Sequence, residues 1–258
     1  MRPSLIEQPT PSPFVAKSRE AMGQKAAEDI AGELRLRLQS QPTVRMIFAA
    51  APSQSEMLSS LILSPGIDWT RVTAFHMDEY IGLGADDPRR FGLWLRRAIF
   101  DHLPFAAVHL LEPGTDPESA AAEYADKLAL SPIDIVCCGI GTNGHLAFND
   151  PPADLNDPAD VRVAELDAAC RQQQVDDRCF ERFSDVPTHA LTLTIPRLLA
   201  AGRIFCCVPG SFKKTAVRRT LHDPVSGSVP ATALRTHSNW SLYLDEHSAA
   251  DLIRPEAQ

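Results

Sequence analysis

The stretch "IDIVCCGIGTNGHLAFNDPP" (residues 133–152) decides how this chain is understood. Its first six residues form an apolar run of strand type, and Gly139, Gly141 and Gly144 follow in the G-x-G-x-x-G spacing of a dinucleotide-binding turn. That fingerprint needs a helix after the last glycine, with its N-terminus facing a pyrophosphate. Here His145 comes next, then a short apolar step, then Asn149, Asp150, Pro151 and Pro152. Two prolines stop a helix before it starts. The loop instead pairs glycines, which let backbone approach a ligand, with an imidazole that Asn143 and Asp150 are near enough in sequence to orient.

Similar apolar runs recur at 44–50, 71–77, 108–111, 190–195, 203–208 and 240–244, with helical periodicity between them. In the segment 88–103, Pro88 suits a first helical turn, and Phe91, Trp94, Leu95, Ala98 and Ile99 make one apolar stripe. Val- and Ile-rich strands without clean alternation, separated by helices, predict an α/β fold: a mostly parallel sheet with helices on both faces, in a single domain. Ligands in such folds bind outside the carboxyl ends of the strands. The residues to inspect therefore follow the strands: "APSQSE" (51–56), "DEYIGL" (78–83), "GTNGHLAFND" (141–150) and "PGSFKK" (209–214).

Composition narrows the class. Hydrophobic residues are 44% and charged residues 22% of 258 residues, an ordinary globular balance, and no apolar run approaches the roughly 18 residues that span a bilayer. A net charge of -8 argues against general nucleic-acid binding but not against a small anion held by local cations and backbone N–H groups. The N-terminus has no apolar signal segment, so the expected address is the cytoplasm. Of six cysteines, four form the adjacent pairs Cys137-Cys138 and Cys206-Cys207 inside strand-like runs, where they should be buried free thiols on alternating faces.

Each of the four loops offers chemistry beside a plainer role. Asp78 and Glu79 end a strand on opposite faces, so one is placed to be a general base, or else to cap a helix or face solvent. His145 is either a catalytic imidazole or a structural one. Lys213 sits in the first turn of a helix expected near Ser211, against the helix dipole, which a bound phosphate would explain and a solvated lysine would not need to. Ser53 and Glu56 have the S-x-x-E spacing of a capping box, which accounts for that loop without any ligand.

Together the loops resemble the glucosamine-6-phosphate deaminase (glucosamine-6-phosphate isomerase) family, in "FHMDEYIGL" (75–83), "GIGTNGHLAFNDPP" (139–152), "VPTHALTLTI" (186–195) and "VPGSFKK" (208–214). The resemblance runs over roughly residues 15–250 and implies a modified Rossmann-like fold. It divides the chain into an N-terminal arm (1–14), one α/β domain (15–250) with a lid-like segment around 151–187, and a tail (251–258). It implies conversion of glucosamine 6-phosphate and water to fructose 6-phosphate and ammonia, with no cofactor and no metal. By the same resemblance His145 opens the sugar ring and Asp78 takes the C2 proton, while Asn143 and Asp150 support His145. Ser53, Lys213 and Arg171 bind the phosphate, with Arg178 the other candidate for the second cation. The partner is a small sugar phosphate, with neither nucleic acid nor membrane, and family members range from monomers to homo-oligomers.

Three departures stand out. Many family members have an Asp where this chain has Asn143, a Glu where it has Asp150, and a glycine-rich phosphate turn where it has "AAPSQS". Asn can hold an imidazole tautomer but cannot balance an imidazolium charge, which leaves Asp150 as the carboxylate of the loop for that task. The competing functions are a deaminase of an epimer such as galactosamine 6-phosphate, a 6-phosphogluconolactonase-like hydrolase, and a non-catalytic sugar-phosphate sensor. Lactonases of this fold usually continue from the histidine with "TASLFP", against "LAFNDPP" here, and sensors normally carry a DNA-binding segment.

Overall fold

The computed structural model describes residues 6–8 and 10–252. Seven strands, β1 (Phe14–Ala16), β2 (Val44–Phe48), β3 (Val72–His76), β5 (Ala107–His109), β6 (Ile135–Cys138), β9 (Arg203–Val208) and β10 (Trp240–Asp245), form one sheet in the order β1-β10-β9-β6-β2-β3-β5. Every pairing in it is parallel. The sheet has helical cover on both faces, as full burial of parallel strands requires, and it divides the core into two apolar layers. The cysteine pairs show the alternation directly: Cys137 and Cys207 lie in one layer, Cys138 and Cys206 in the other, and all four are free.

One layer is filled by α1 (Arg19–Ser40) and α2 (Ser55–Ile62). The side chain of Ser18 caps α1 by accepting the Ala21 N–H, and Met22, Ala26, Ile30 and Leu34 bury one stripe of it at helical spacing. The stripe expected from Phe91 to Ile99 also exists, on α3 (Phe91–Ala98), with Pro88 lying before the helix rather than in its first turn. The opposite layer takes α4 (Pro117–Ala129), α6 (Ile195–Leu199) and α7 (Lys214–His222).

Two expectations are corrected here. The run 190–195 is not in the parallel sheet: it forms β8 (His189–Leu193), antiparallel to both β4 (Asp78–Tyr80) and β7 (Val161–Glu165) in a separate three-stranded sheet. The chain passes from β3 into β4 through a bend at Met77 alone, so one short segment serves both sheets. The capping box at Ser53 does not form either. Pro52–Gln54 make a 3₁₀ turn, α2 begins at Ser55 with no side-chain cap, and Glu56 pairs bidentately with Arg19 of α1, at 3.0 and 3.1 Å.

The expected arm is partly structured. Phe14 already belongs to β1, and Gln8 N–H donates to the Arg235 carbonyl. Within the segment 151–187 lie β7 and α5 (Ala168–Asp176). Of the tail 251–258, only 251 and 252 are described, and residues 253–258 lie outside the described residues, as do 1–5 and 9 of the arm. Among the described residues no helix is long and apolar enough to cross a membrane.

Candidate functional site

Strand order reverses between β2 and β6: β3 and β5 follow β2 on one side, β9 and β10 follow β6 on the other. A crevice opens at such a switch point. Here it is an open cleft walled by residues that follow β2, β3, β6 and β9. Asp78, His145, Ser53 and Lys213 all line it. Asn143 and Asp150 stand behind His145, hydrogen bonded to it.

The two adjacent acids divide as an extended backbone requires. Glu79 points away from the cleft and accepts the N–H groups of Tyr80, Phe91 and Gly92 at 2.9 to 3.0 Å, which satisfies the free amides at the start of α3. Its carboxylate is committed to structure, with Arg90 beside it at 3.5 Å. Asp78 lines the cleft while only 6% exposed. Burial first, and the neighbouring Glu79 second, push its carboxyl well above the ordinary carboxylate range.

The His145 loop is fixed on several sides. Gly144, with φ of +88°, makes the turn, its carbonyl accepting the Ala231 N–H at 2.8 Å. Phe148 N–H donates to Thr192 Oγ1 of β8, and Asn149 Nδ2 donates to the Leu146 and Leu193 carbonyls. Between these anchors Ala147 holds φ of +49°, a conformation a non-glycine residue adopts only when its surroundings impose it. His145 Nδ1 is 3.0 Å from Asp150 Oδ1. Burial alone would raise the Asp150 carboxyl, but hydrogen bonds from His145, Asn143 and the Asp167 backbone outweigh it and hold it below the usual range. An ionised Asp150 can only accept, so the Nδ1–H tautomer is set and Nε2 is left to exchange protons.

Gly141 is required for close approach. A Cβ at this position would overlap the His145 ring at Nε2, Cδ2 and Cε1. Asp150 prevents the ring from yielding. Gly141→Ala is therefore expected to lower kcat about tenfold by displacing the imidazole, with a smaller change in KM, measured by steady-state kinetics. Parent-like kcat in that variant would mean that the ring position is immaterial.

Lys213 lies in a 3₁₀ turn (Ser211–Lys213), so α7 begins at Lys214, three residues beyond the expected start. It is 7% exposed, and burial pushes its ammonium down to about 8, Asp177 and Cys170 acting in the opposite direction. Ser53 Oγ accepts from Gln54 Nε2 at 3.2 Å, and Gln54 donates also to the Cys207 carbonyl, which ties this loop to β9.

Arg171 is not in the cleft. Its guanidinium donates to the carbonyls of Phe183 and Val186 and lies 4.2 Å from the Phe183 ring centroid, holding the segment 183–186 onto α5. The arginine nearer the site is Arg178, which lines a second cavity sharing Ala50, Ala51, Pro52, Phe91 and Asp177 with the cleft.

The site also contains residues that the loops did not reveal. Gln173, Gln174 and Asp177 of the α5 region line the cleft, and Asp167, the N-cap of α5, accepts from Asn143 Nδ2 at 3.2 Å. Their signal was the run "CRQQQVDD", where Cys170, Gln173, Gln174 and Asp177 recur at i, i+3, i+4 and i+7. His145, Asp150 and Cys170 bring donor atoms within 4.8 Å of one another. Asp150 is already taken by hydrogen bonds, and burial pushes the Cys170 thiol up, away from the thiolate a metal needs. A metal could enter only by breaking that network.

The family model for "Glucosamine-6-phosphate isomerases/6-phosphogluconolactonase" matches residues 17–243. A protein from Bacillus thuringiensis (strain Al Hakam) named glucosamine-6-phosphate deaminase is 32% identical over 241 residues, covering 91% of this chain and 87% of its own. One from Bacillus anthracis (strain A0248) with the same name matches equally. Among solved structures, a monomeric glucosamine-6-phosphate deaminase superposes with a TM-score of 0.86 at 26% identity, over 93% of this chain and all of that one. A 6-phosphogluconolactonase from Shewanella baltica OS155 shares the fold at a TM-score of 0.77 and 17% identity, over 93% of this chain and all of that one. With its cleft at the switch point of the parallel sheet and the family pattern running through nearly its whole length, the chain belongs to the glucosamine-6-phosphate isomerase/6-phosphogluconolactonase family.

Proposed function

We propose that the protein is a glucosamine-6-phosphate deaminase, converting glucosamine 6-phosphate and water to fructose 6-phosphate and ammonia without a cofactor. The observation that carries this reading is the pair of proton-transfer groups on one cleft: Asp78, uncommitted and facing the cavity, and His145, held with Nε2 free. His145 moves a proton between the anomeric hydroxyl and the ring oxygen, which opens the sugar to its aldehyde. Asp78 removes the proton from C2 while the ammonium group of the substrate passes one to O1, leaving an enolamine, and Asp78 then returns its proton to C1. Water then adds to the resulting C2 imine and ammonia departs, so atoms and charge balance. A lactone hydrolase has no use for a base over C2, so the cleft-facing Asp78 favours the deaminase.

Lys213 and Ser53 are proposed to hold the phosphate, with Arg178 as the second cation in place of Arg171. The variants separate the two arginines: Arg178→Ala should raise KM about tenfold with kcat retained. Arg171→Ala should leave KM unchanged and lower stability by about 1–2 kcal/mol, read by denaturant unfolding. The opposite pattern would return the phosphate role to Arg171.

Residues 15–250 act in this reading as one catalytic unit, residues 151–187 closing over the sugar, in a cytoplasmic protein that works as a monomer like its solved relative. The deciding experiment incubates the purified protein with glucosamine 6-phosphate, galactosamine 6-phosphate and 6-phosphogluconolactone in turn. Ammonia and fructose 6-phosphate from the first are expected; hydrolysis of the lactone alone, or binding without turnover, would overturn the proposal.

A further inference from the structure

Asn143 stands where the family resemblance implies an acid, and its amide is fully used. Its Oδ1 accepts the His145 N–H at 3.0 Å, and its Nδ2 donates to Asp150 Oδ1 at 3.1 Å and to Asp167 Oδ2 at 3.2 Å. The orientation of the amide is thereby set, since a flip would turn Nδ2 toward a donor and Oδ1 toward two carboxylates. Asp167 closes the ring of contacts by donating its own N–H to Asp150 Oδ2 at 3.1 Å, while its Oδ1 caps α5 through Cys170 N. The chain thus keeps two carboxylates around the imidazole support, but one of them comes from a different element.

We propose that Asp167 is a positioning residue of the site, supplying through Asn143 the second carboxylate of the network that orients His145, so that Asn143 and Asp167 operate as a matched pair. This rests on the deaminase reading for the role of His145. The absence of an acid at 143 is then a relocation: the negative charge sits instead at the N-cap of the cleft-lining helix. An acid at 143 with Asp167 in place would put its carboxylate within hydrogen-bond distance of two others, where all three cannot readily ionise. The other titratable groups facing this network are His145 itself, the Cys170 thiol against Asp150, Asp78 across the cleft, and Lys213 with Asp177, of which Lys213 interacts with Cys170.

Placing at 143 the acid that the family resemblance implies should damage the enzyme. N143D, D167N and the double variant are compared with the parent as full chains, by ammonia release across pH and by thermal unfolding. N143D is expected to lose about tenfold or more in kcat, increasingly as pH rises and its third carboxyl ionises, and D167N about tenfold with KM unchanged. Asn is as good an N-cap as Asp, so D167N removes the charge and keeps the cap, which distinguishes positioning from helix stability. The double variant should recover to within about threefold of the parent, the non-additivity that coupled neighbours show.

An N143D enzyme as active as the parent at all pH values, a D167N effect confined to the unfolding temperature, or a double variant no better than the product of the singles would overturn the proposal. The ring nitrogens of His145, followed by ¹⁵N NMR, provide a readout that needs no substrate. N143D should move their signals and the double variant should restore them, whereas unchanged signals in N143D overturn the pairing even if the parent releases no ammonia. That last outcome, by itself, would count against the deaminase reading only.

Discussion

Asp78→Asn is expected to lower kcat by about 10²- to 10⁴-fold, the range spanned by loss of a positioned general base, while KM changes little because the phosphate end of the cleft is untouched. The same substitution should make the protein more stable at neutral pH. Burial and Glu79 raise the carboxyl of Asp78 in the folded protein well above its value in the unfolded chain. Below about pH 3.9, where the carboxyl is protonated in both states, it contributes no pH-dependent penalty. As pH rises past that point the unfolded chain ionises and the folded one resists, so stability is lost progressively up to the folded-state value. Asparagine removes that cost. Activity runs the other way: the base works only when ionised, so kcat/KM should climb with pH through a limb higher than an ordinary carboxylate would give. Calorimetry and pH-dependent kinetics on the one variant test both signs, and an Asp78→Asn protein with parent-like kcat would falsify its assignment as base.

Lys213→Ala is expected to raise KM for the sugar phosphate about a hundredfold, since a charge-assisted contact with a dianion is worth up to about 3 kcal/mol. The effect on kcat should be small, because phosphate binding is the same in ground and transition states. Burial brings the Lys213 ammonium down to about 8, so in the empty site the lysine gives up its charge as pH passes that value. KM of the parent should accordingly rise on the alkaline side of pH 8. In Lys213→Ala that rise should vanish. Asp177, which acts on Lys213 from the cleft wall, keeps the ammonium from falling further. Direct binding of inorganic phosphate, measured by calorimetry at pH 7 and pH 9, gives the same information without turnover, and a dissociation constant equal at both values would refute the role of the lysine charge.

The residues that proved legible in the sequence were those whose neighbours in space are also neighbours along the chain. Asp78 follows β3, His145 follows β6 and three glycines, and Lys213 follows β9, and the parallel sheet carries all three to one edge. Asp167 was not legible, because its partner Asn143 is 24 residues away on a different element and no periodicity links them. Arg171 was misplaced for a related reason: Arg171 lies near the start of α5 and Arg178 just past its end, and only the fold shows that Phe183 and Val186 take up the first. The capping box at Ser53 fits its local pattern but loses to a distant competitor, since Arg19 claims Glu56. In "ALTL" (190–193) the alternation of small or polar residues with leucine was the mark of the second sheet, outweighed by the apolar character of the run.

The small antiparallel sheet has a consequence for how this molecule divides mechanically. Asp78 is itself part of β4, paired with Thr192 of β8, and the His145 loop is fastened to the same β8 through Thr192 Oγ1 and the Leu193 carbonyl. The two groups proposed to move protons are therefore fastened to one small sheet. Lys213 and Ser53 belong to a different chassis, the loops at the rim of the large sheet. In the proposed reading the dividing line would fall across the sugar, between the reacting carbons and the phosphate. Loop exchange at the rim should retune which anion the protein grips while leaving the spacing of its proton-transfer pair unaltered, which makes this scaffold separable into an interchangeable handle and a fixed reaction head.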